Sequence, residues 1–493
     1  MDRICLISRD GIQYISLAKL YLSGSFIEAL SHPFHPLYPA SIAMVAGVVR
    51  EAELAGKLVS LAAGSLTVIP LYLVGRTIFD SRAGFIAGLL FAFQPYAVRF
   101  SVDVLSDSLF LFFFVCSFYL ALKSLMEAGD AIVRSVGAGV CGGLAYLTRP
   151  EGMAIIIFLV SYCLFEILVS RRGKPARVFL TMGFLLLSFS LIAAPYPLFI
   201  KLHTGRWHIS MKPSIVKSFE TPVPEPERKS PSVSLNHKLH IQAAESSSVA
   251  PAKLQEPFRK AEFWKSLTHP PLKFIETYHY LLFLFLIIGI WAGYKHETES
   301  RGGILLVVSL GYLLGLCYLY HTVSYVSRRH FLPPITLSLP IAAIGLWEVR
   351  ERLSCLMSRL HYRWNTAAAT HATVVVLLIT LLTLAPKALK SQEIEKLPLK
   401  KAALWIKENS PKPCPVIMCN EPLVAYYAGG KHLPVPGIRY EEFVQYAKSS
   451  RVDFLVFDER DIKGAGQFLS QLQPERFRKI PLKEEGVLVY EVM

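Results

Sequence analysis

"LAGKLVSLAAGSLTVIPLYLVG", from Leu54 to Gly75, runs for 22 residues with a single charge, Lys57. A helix needs about 20 mostly apolar residues to cross a hydrocarbon core ~30 Å thick. Nine further stretches have the same character: Ala83–Arg99, Ser108–Leu125, Val133–Leu147, Met153–Ser170, Val178–Ile200, Tyr278–Tyr294, Gly303–Tyr320, Phe331–Trp347 and Ala367–Leu384. In lipid, backbone polar groups must be satisfied within the segment, so runs of this length are helices. The chain is therefore expected to be an α-helical polytopic membrane protein with about ten spans. Val133–Leu147 is the shortest and carries "GAGVCGGLAYL", whose small residues suit close helix packing rather than lipid contact.

The net charge of +15 would suit nucleic acid, but only 18% of residues are charged. Their placement decides the matter. "GRTIFDSR", "KSLMEAGDAIVR", "RRGKPAR", "YKHETESR" and "EVRERLSCLMSRLHYRW" lie between apolar runs and alternate with connectors of another kind. This is the positive-inside pattern, which puts these five in the cytoplasm and leaves no role for nucleic acid. The other face receives the N-terminal stretch, Ser101–Ser108, Thr148–Gly152, the long loop after Lys201, His321–His330 and the C-terminal hundred residues. The expected location is the inner (plasma) membrane, with the chemistry-bearing loops external, in the periplasm of a Gram-negative cell. Cys116, Cys141, Cys163 and Cys317 lie in apolar runs, where buried thiols are ordinary.

Composition divides the chain further. Residues 1–53 read as a first external loop with interfacial helices, 54–200 as spans with catalytic loops, and 201–276 as an external loop. "PVPEPERKSPSVSLNHK" makes part of that loop a candidate for disorder, and "FRKAEFWKSL" after it reads as an amphipathic helix at the membrane surface. Residues 277–388 return to spans. From residue 389 the pattern becomes that of a soluble domain. "CPVIMC", "VDFLVFD" and "GVLVYEV" read as strands, and "LKKAALWIKEN", "YEEFVQYAKSS" and "GQFLSQL" as helices. Their alternation predicts a small C-terminal α/β domain outside the membrane.

Asp10 followed by "IQYISLAKLYLSG", then "HPFHPLYP", "ELAGKLVSLAAGSLTVIPLYLVGRTIF", "VLSDSLFLFFF", "LTRPEG" and "SRRHFLPPITLSLPIAAIGL" occur in that order. Together they resemble the bacterial lipid-linked-sugar glycosyltransferases of the GT-C class, relatives of protein O-mannosyltransferases and aminoarabinose transferases. The resemblance covers Ser8 to about Trp347, and the C-terminal domain is similar to an external module of many members. It implies a GT-C-like fold, a polyprenyl-phosphate sugar donor, membrane lipids as surroundings, and a glycan, lipid or protein acceptor. It also implies inversion at the sugar carbon. Members begin with a membrane helix ahead of the first external loop, so a first span before Met1 is an expectation of the resemblance.

A donor of this kind departs as a phosphate, so its departure calls for cations that receive the growing charge. The acceptor hydroxyl calls for a carboxylate base. By the resemblance Asp10 is that base, although a solvated or helix-capping aspartate would look the same. The related mannosyltransferases carry an acidic pair where this chain has Asp10-Gly11. Asp107 is the second catalytic candidate, with helix capping as its competing reading. Arg9, His32, His35, Asp103, Arg149, Glu151, Arg328, Arg329 and His330 are candidates for substrate contact. His35 stands where aminoarabinose-type relatives place a phosphate-binding lysine. Arg149 and Glu151 form either a charged pair or a plain turn around Pro150. Arg328 and Arg329 read as phosphate ligands or as snorkelling anchors. No metal ligands are assigned; metal dependence stays open, with a divalent cation, Mg or Mn, as the candidate cofactor. The rival functions are a transporter or flippase for lipid-linked sugars, an inactive relative, or a membrane scaffold. A transporter would place ionisable groups at mid-depth in its spans, which are nearly free of charge here.

Overall fold

The computed structural model describes residues 6–127, 129–165, 175–212, 262–295, 299–359, 366–390, 394–436, 440–459, 475–482 and 486–493. These fall into two compact units, one holding residues 14–212 and 262–390, the other residues 6–13 and 394–493. "RRGKPAR" up to Lys174, the Pro- and Ser-rich part of the long loop and "GQFLSQL" lie outside the described residues.

Among the described residues, every regular element of the first unit is a helix. Five of its helices are long and apolar enough to cross a membrane: Ala52–Ile78, Asp107–Met126, Ala131–Thr148, Gly302–Val323 and Arg328–Leu353. Three bent pairs could each serve as a broken span, giving up to eight among the described residues. Two of the ten apolar runs read from sequence are broken within their length. Ala83–Arg99 is broken between Ala92 and Pro95 with a 61° bend, and Val178–Ile200 is broken before Pro195 with a 45° bend. Both prolines sit at the start of a new helix, where the missing N–H costs nothing. Tyr280–Gly293 meets Phe263–Tyr278 at 102° because His279 adopts a left-handed φ of 77°. Leu37–Val49, Gly152–Cys163 and Val374–Ala388 are apolar helices of shorter length. The 13 residues of Leu37–Val49 extend only about 20 Å, less than a bilayer core.

The small residues of Ala131–Thr148 let it lie directly on Pro175–Ala193. A Cβ on Gly139 would come within 2.3 Å of the Leu185 carbonyl, and one on Gly143 within 2.6 Å of Ile192. Gly152 matters most for function. A Cβ there would meet the Tyr146 amide nitrogen at 2.3 Å, so only glycine lets the helix beginning at Gly152 start against the end of Ala131–Thr148. That close start fixes the turn carrying Arg149 and Glu151, in which the Gly152 N–H donates to the Arg149 carbonyl at 2.9 Å.

The second unit is a five-stranded mixed sheet with helices. Strands β1 (Val416–Cys419), β2 (Lys431–Leu433), β3 (Phe454–Asp458), β4 (Phe477–Ile480) and β5 (Val487–Val492) lie in the order β2-β1-β3-β5-β4. β1 runs parallel to β2 and β3, whereas β5 runs antiparallel to β3 and β4. All five residues of β3 are buried, as befits the central strand of a covered sheet. Met418, Phe443, Leu455, Phe457 and Tyr490 build its core. The N-terminal segment belongs to this unit. Ile7 is buried, and its N–H donates to the Tyr427 hydroxyl at 3.4 Å.

Candidate active site

Four of the residues singled out from sequence come together in the helical unit. Asp107 opens the helix Asp107–Met126 and is 2% exposed. Its Oδ1 accepts from Arg149 Nη1 at 2.5 Å. Arg149, 4% exposed, turns its other edge to Glu151, with Nη2 donating to Oε1 at 3.1 Å. His330 Nε2 lies 3.8 Å from the same Glu151 oxygen. The His330 Nδ1 accepts from the Ser327 N–H at 3.1 Å, which leaves the ring proton on the side facing Glu151. One guanidinium thus bridges two carboxylates, the bidentate geometry for which arginine is suited.

This geometry settles two alternatives. Asp107 does not cap its own helix; Ser106 occupies the cap position, and the Asp107 carboxylate goes to Arg149. "TRPEG" is a turn and a charged pair at once. Burial works against charge on Glu151, but Arg149, Lys212 and His330 outweigh it and hold the carboxyl well below the usual range. Asp107 Oδ2 is buried and has no hydrogen-bond partner among the described residues. Such an oxygen costs free energy unless something donates to it. Close by, Ser106 Oγ and the Tyr14 hydroxyl are 2.9 Å apart.

His35 is 2% exposed, with both ring nitrogens engaged. Nδ1 donates to the Tyr146 carbonyl at 2.7 Å, and Nε2 lies 3.1 Å from Ser210 Oγ. The Tyr146 hydroxyl donates to the Ile209 carbonyl at 2.6 Å, and Ser210 Oγ accepts from the Lys212 N–H at 3.3 Å. His35 therefore fastens the segment Trp207–Lys212 to the end of Ala131–Thr148. Lys212, not singled out from sequence, sits with its Nζ 5.7 Å from the centre of the Phe34 ring.

Burial, reinforced by Lys212, pushes the His35 imidazole down to about 3. The ring is free to protonate near 6.5 in an unfolded chain, so the fold loses stability as pH drops below that value. The loss approaches ~1.4 kcal/mol per pH unit until the folded ring itself titrates. His35→Asn keeps an amide donor for Tyr146 and does not titrate. Thermal unfolding in detergent should show wild type more stable at neutral pH, with the gap narrowing as the medium is acidified. A gap independent of pH would mean that His35 takes up its proton as readily in the fold as in the unfolded chain.

The remaining candidates lie elsewhere. Arg328 donates to Glu276 at 2.6 Å and lies over Tyr96, and Arg329 is half-buried beside it in the turn Arg328–Phe331. Asp103 is half-buried, and its carboxylate accepts from the Val104 N–H at 2.7 Å. His32 Nδ1 accepts from the Phe34 N–H at 3.3 Å. In the second unit, Arg9 donates to the Asn420 carbonyl at 3.3 Å and lies 3.8 Å from Glu421. Asp10 is half-buried in the first turn of the helix Arg9–Leu22. That helix is capped by Ser8, whose Oγ accepts from the Gly11 N–H at 3.2 Å. The capping explanation for Asp10 is thereby removed.

Among the described residues, no group of three or more His, Cys, Asp and Glu converges on a point suited to a metal ion. A divalent cation at the buried cluster would compete with Arg149 for both Asp107 and Glu151.

Comparison with known proteins bears on this arrangement. Residues 31–194 match the family described as dolichyl-phosphate-mannose-protein mannosyltransferase, a stretch that contains His32, His35, Asp103, Asp107, Arg149 and Glu151. A search of curated proteins returns no match. In fold, the chain is similar to ArnT from Cupriavidus metallidurans bound to undecaprenyl phosphate. The TM-score is 0.63 at 14% identity, over 99% of this chain and 94% of that one. It is also similar to the Archaeoglobus fulgidus oligosaccharyltransferase in the apo form, with a TM-score of 0.54 and 14% identity, over 92% of this chain and 66% of that chain. AglB from the same organism, in complex with an inhibitory peptide and a dolichol-phosphate, gives 0.53 and 13%, over 93% and 66%. The chain thus spans about two thirds of the archaeal proteins' length. Whole-chain fold and matched segment converge: this is a membrane protein of GT-C architecture, the architecture of the lipid-linked-sugar glycosyltransferases that its motifs resemble.

Proposed function

We propose that the protein is a membrane glycosyltransferase that moves a monosaccharide from a polyprenyl-phosphate donor to an acceptor hydroxyl, with inversion. The observation that carries this reading is the buried Asp107–Arg149–Glu151 cluster, with one carboxylate oxygen open to a donor, inside the segment that matches the mannosyltransferase family. The acceptor oxygen attacks the anomeric carbon as the bond from that carbon to the phosphate oxygen breaks. The electron pair leaves with the prenyl phosphate, and the acceptor proton goes to a carboxylate, for which we assign Asp10. Asp107 Oδ2 would hold a sugar or acceptor hydroxyl, and Arg329 would contribute positive charge toward the departing phosphate. A single displacement needs one base and no covalent intermediate, by analogy with inverting glycosidases.

The positive-inside pattern supports a cytoplasmic position for the basic connectors and an external one for the site, in the plasma membrane. The acceptor is a glycan, lipid or protein on that face. The test is an assay of the purified full-length chain against a panel of radiolabelled polyprenyl-phosphate sugars in proteoliposomes, with the anomeric configuration of the product read by NMR. Transfer from at least one donor with inverted configuration is expected. Transport of label across the bilayer without transfer to any acceptor would favour a flippase and overturn the proposal.

A further inference from the structure

The second unit holds a cavity of about 430 Å³ that is lined by none of the residues assigned to the transfer reaction. That volume falls in the range of small-molecule pockets, roughly 300–1,000 Å³. Its walls are more polar than apolar, and they come from two sources. The helix Leu397–Asn409 buries Leu399, Ala402, Ala403 and Ile406, and it brings Trp405 and Asn409, one turn apart, to the cavity. The sheet supplies a row across three strands. Phe454 of β3 pairs in register with Glu491 of β5, and Glu491 with Arg478 of β4, so the three side chains stand on one face.

Within that row Arg478 and Glu491 form an ion pair. The Glu491 side chain is 29% exposed and that of Arg478 67%, so the acceptor is set deeper and the donor stands at the rim. A cross-strand pair of this kind adds little to stability by itself. What it does here is place an acceptor and a donor side by side on one wall with no net charge. Lys479 also borders the cavity, but strand alternation sends its side chain to the opposite face, where its register partner Tyr490 packs in the core with Phe443. Asn409 donates from Nδ2 to the Trp405 carbonyl at 2.8 Å, which fixes its amide at the helix end. Trp405 itself is half-buried, and Phe454 is buried.

A neutral sugar ring has the matching chemistry. One of its faces is a set of C–H groups that packs on an aromatic ring, and its edge carries hydroxyls that each donate and accept. An anion would meet Glu491, a cation would meet Arg478, and an apolar ligand would leave both and Asn409 without partners. We propose that this cavity binds a neutral saccharide unit of the acceptor, with Trp405 against the C–H face and Arg478, Glu491 and Asn409 on the hydroxyls. The acceptor is then a glycan, a narrowing that rests on the glycosyltransferase reading, whereas the binding itself does not require turnover.

The test applies the purified full-length chain, in lipid nanodiscs free of maltoside detergent, to a printed array of neutral and acidic bacterial glycans. At least one neutral glycan should be retained, and its affinity is then measured by calorimetry. Trp405→Ala should weaken that affinity at least ~10-fold, with Trp405→Phe in between. Glu491→Gln keeps the shape but leaves Arg478 uncompensated. It should weaken the neutral glycan and move the array preference toward acidic ones. Thermal unfolding of each preparation reports the fold, and Glu491→Gln carries the test if Trp405→Ala unfolds the domain. Retention of no neutral glycan overturns the proposal, as does an affinity and array preference unchanged by Glu491→Gln. Preference of the wild type for acidic glycans also overturns it, in favour of an anion site. If sugar transfer to a lipid or protein persists in the same preparations, the glycosyltransferase reading survives that failure. Binding that depends on Trp405 and Glu491, with no transfer from any donor, supports the saccharide site and counts against the enzymatic reading alone.

Discussion

Arg149→Leu is expected to cost about 3–5 kcal/mol of stability in the helical unit, the penalty for removing one partner of a buried ion pair. Two carboxylates depend on that one guanidinium, and the side chains of Arg149 and Asp107 are only 5% and 3% exposed. Without the cation, Asp107 and Glu151 would face each other in a setting with little water to screen them, so each would have to take up a proton or move apart. Arg149→Lys should fall between wild type and Leu, because an ammonium cannot present two parallel edges to two acceptors. Thermal unfolding in detergent measures the series. The decisive comparison is the double variant Arg149→Leu/Asp107→Asn. If Arg149 acts by neutralising a buried charge, removing that charge restores part of the lost stability, and the two substitutions are strongly non-additive. Simple additivity would show that the bridge is energetically idle.

The parts of this molecule that were legible in sequence are those whose signal is local. Apolar runs declare helices, and basic connectors declare a side, because bilayer thickness and charge cost act on each segment separately. Pro95 and Pro195 stood in view inside two of those runs, yet the bends they make depend on where the next helix packs. His279 offered no such sign, since nothing in a histidine announces the left-handed backbone with which it turns two helices through 102°. Strands β1, β3 and β5 were readable as apolar segments. β2 and β4, "KHL" and "FRKI", were not, because edge strands of three and four residues bury too little to leave a pattern.

The site follows the same division. Asp107, Arg149, Glu151 and His330 were each visible as a charged or titratable group at the rim of an apolar run. The Arg149–Glu151 pair was one of two readings of "TRPEG", but the bridge to Asp107 was not legible, because 42 residues separate Arg149 from Asp107 and nothing in either run encodes the register between the two helices. Lys212 passed unnoticed since it borders a Pro- and Ser-rich stretch where a cation looks like ordinary solvation. The available signal was its position in "HISMKP", eight residues beyond the helix end at Thr204. His35 was noticed for its chemistry, but the chemistry it performs is to donate and accept within the fold.

Asp10→Asn should lower kcat at least ~10²-fold while leaving donor binding close to wild type, since the amide keeps the shape and loses only the capacity to take a proton. That factor corresponds to about 2.7 kcal/mol of transition-state stabilisation. Asp10 does not cap its helix, a task that falls to Ser8, and its carboxylate adds a first-turn charge that suits the helix dipole. A loss of turnover therefore separates cleanly from a loss of structure, which thermal unfolding of the same preparation would report. Asp10→Glu should retain part of the rate, because the base survives at altered reach. Asp107→Asn supplies the contrast. It strips charge from the Arg149 bridge, so it should reduce stability and donor affinity together, whereas Asp10→Asn should touch neither. If Asp10→Asn turned over at near-normal rate and Asp107→Asn did not, the proton acceptor would have to be sought at the buried cluster, with the open Oδ2 as the first place to look.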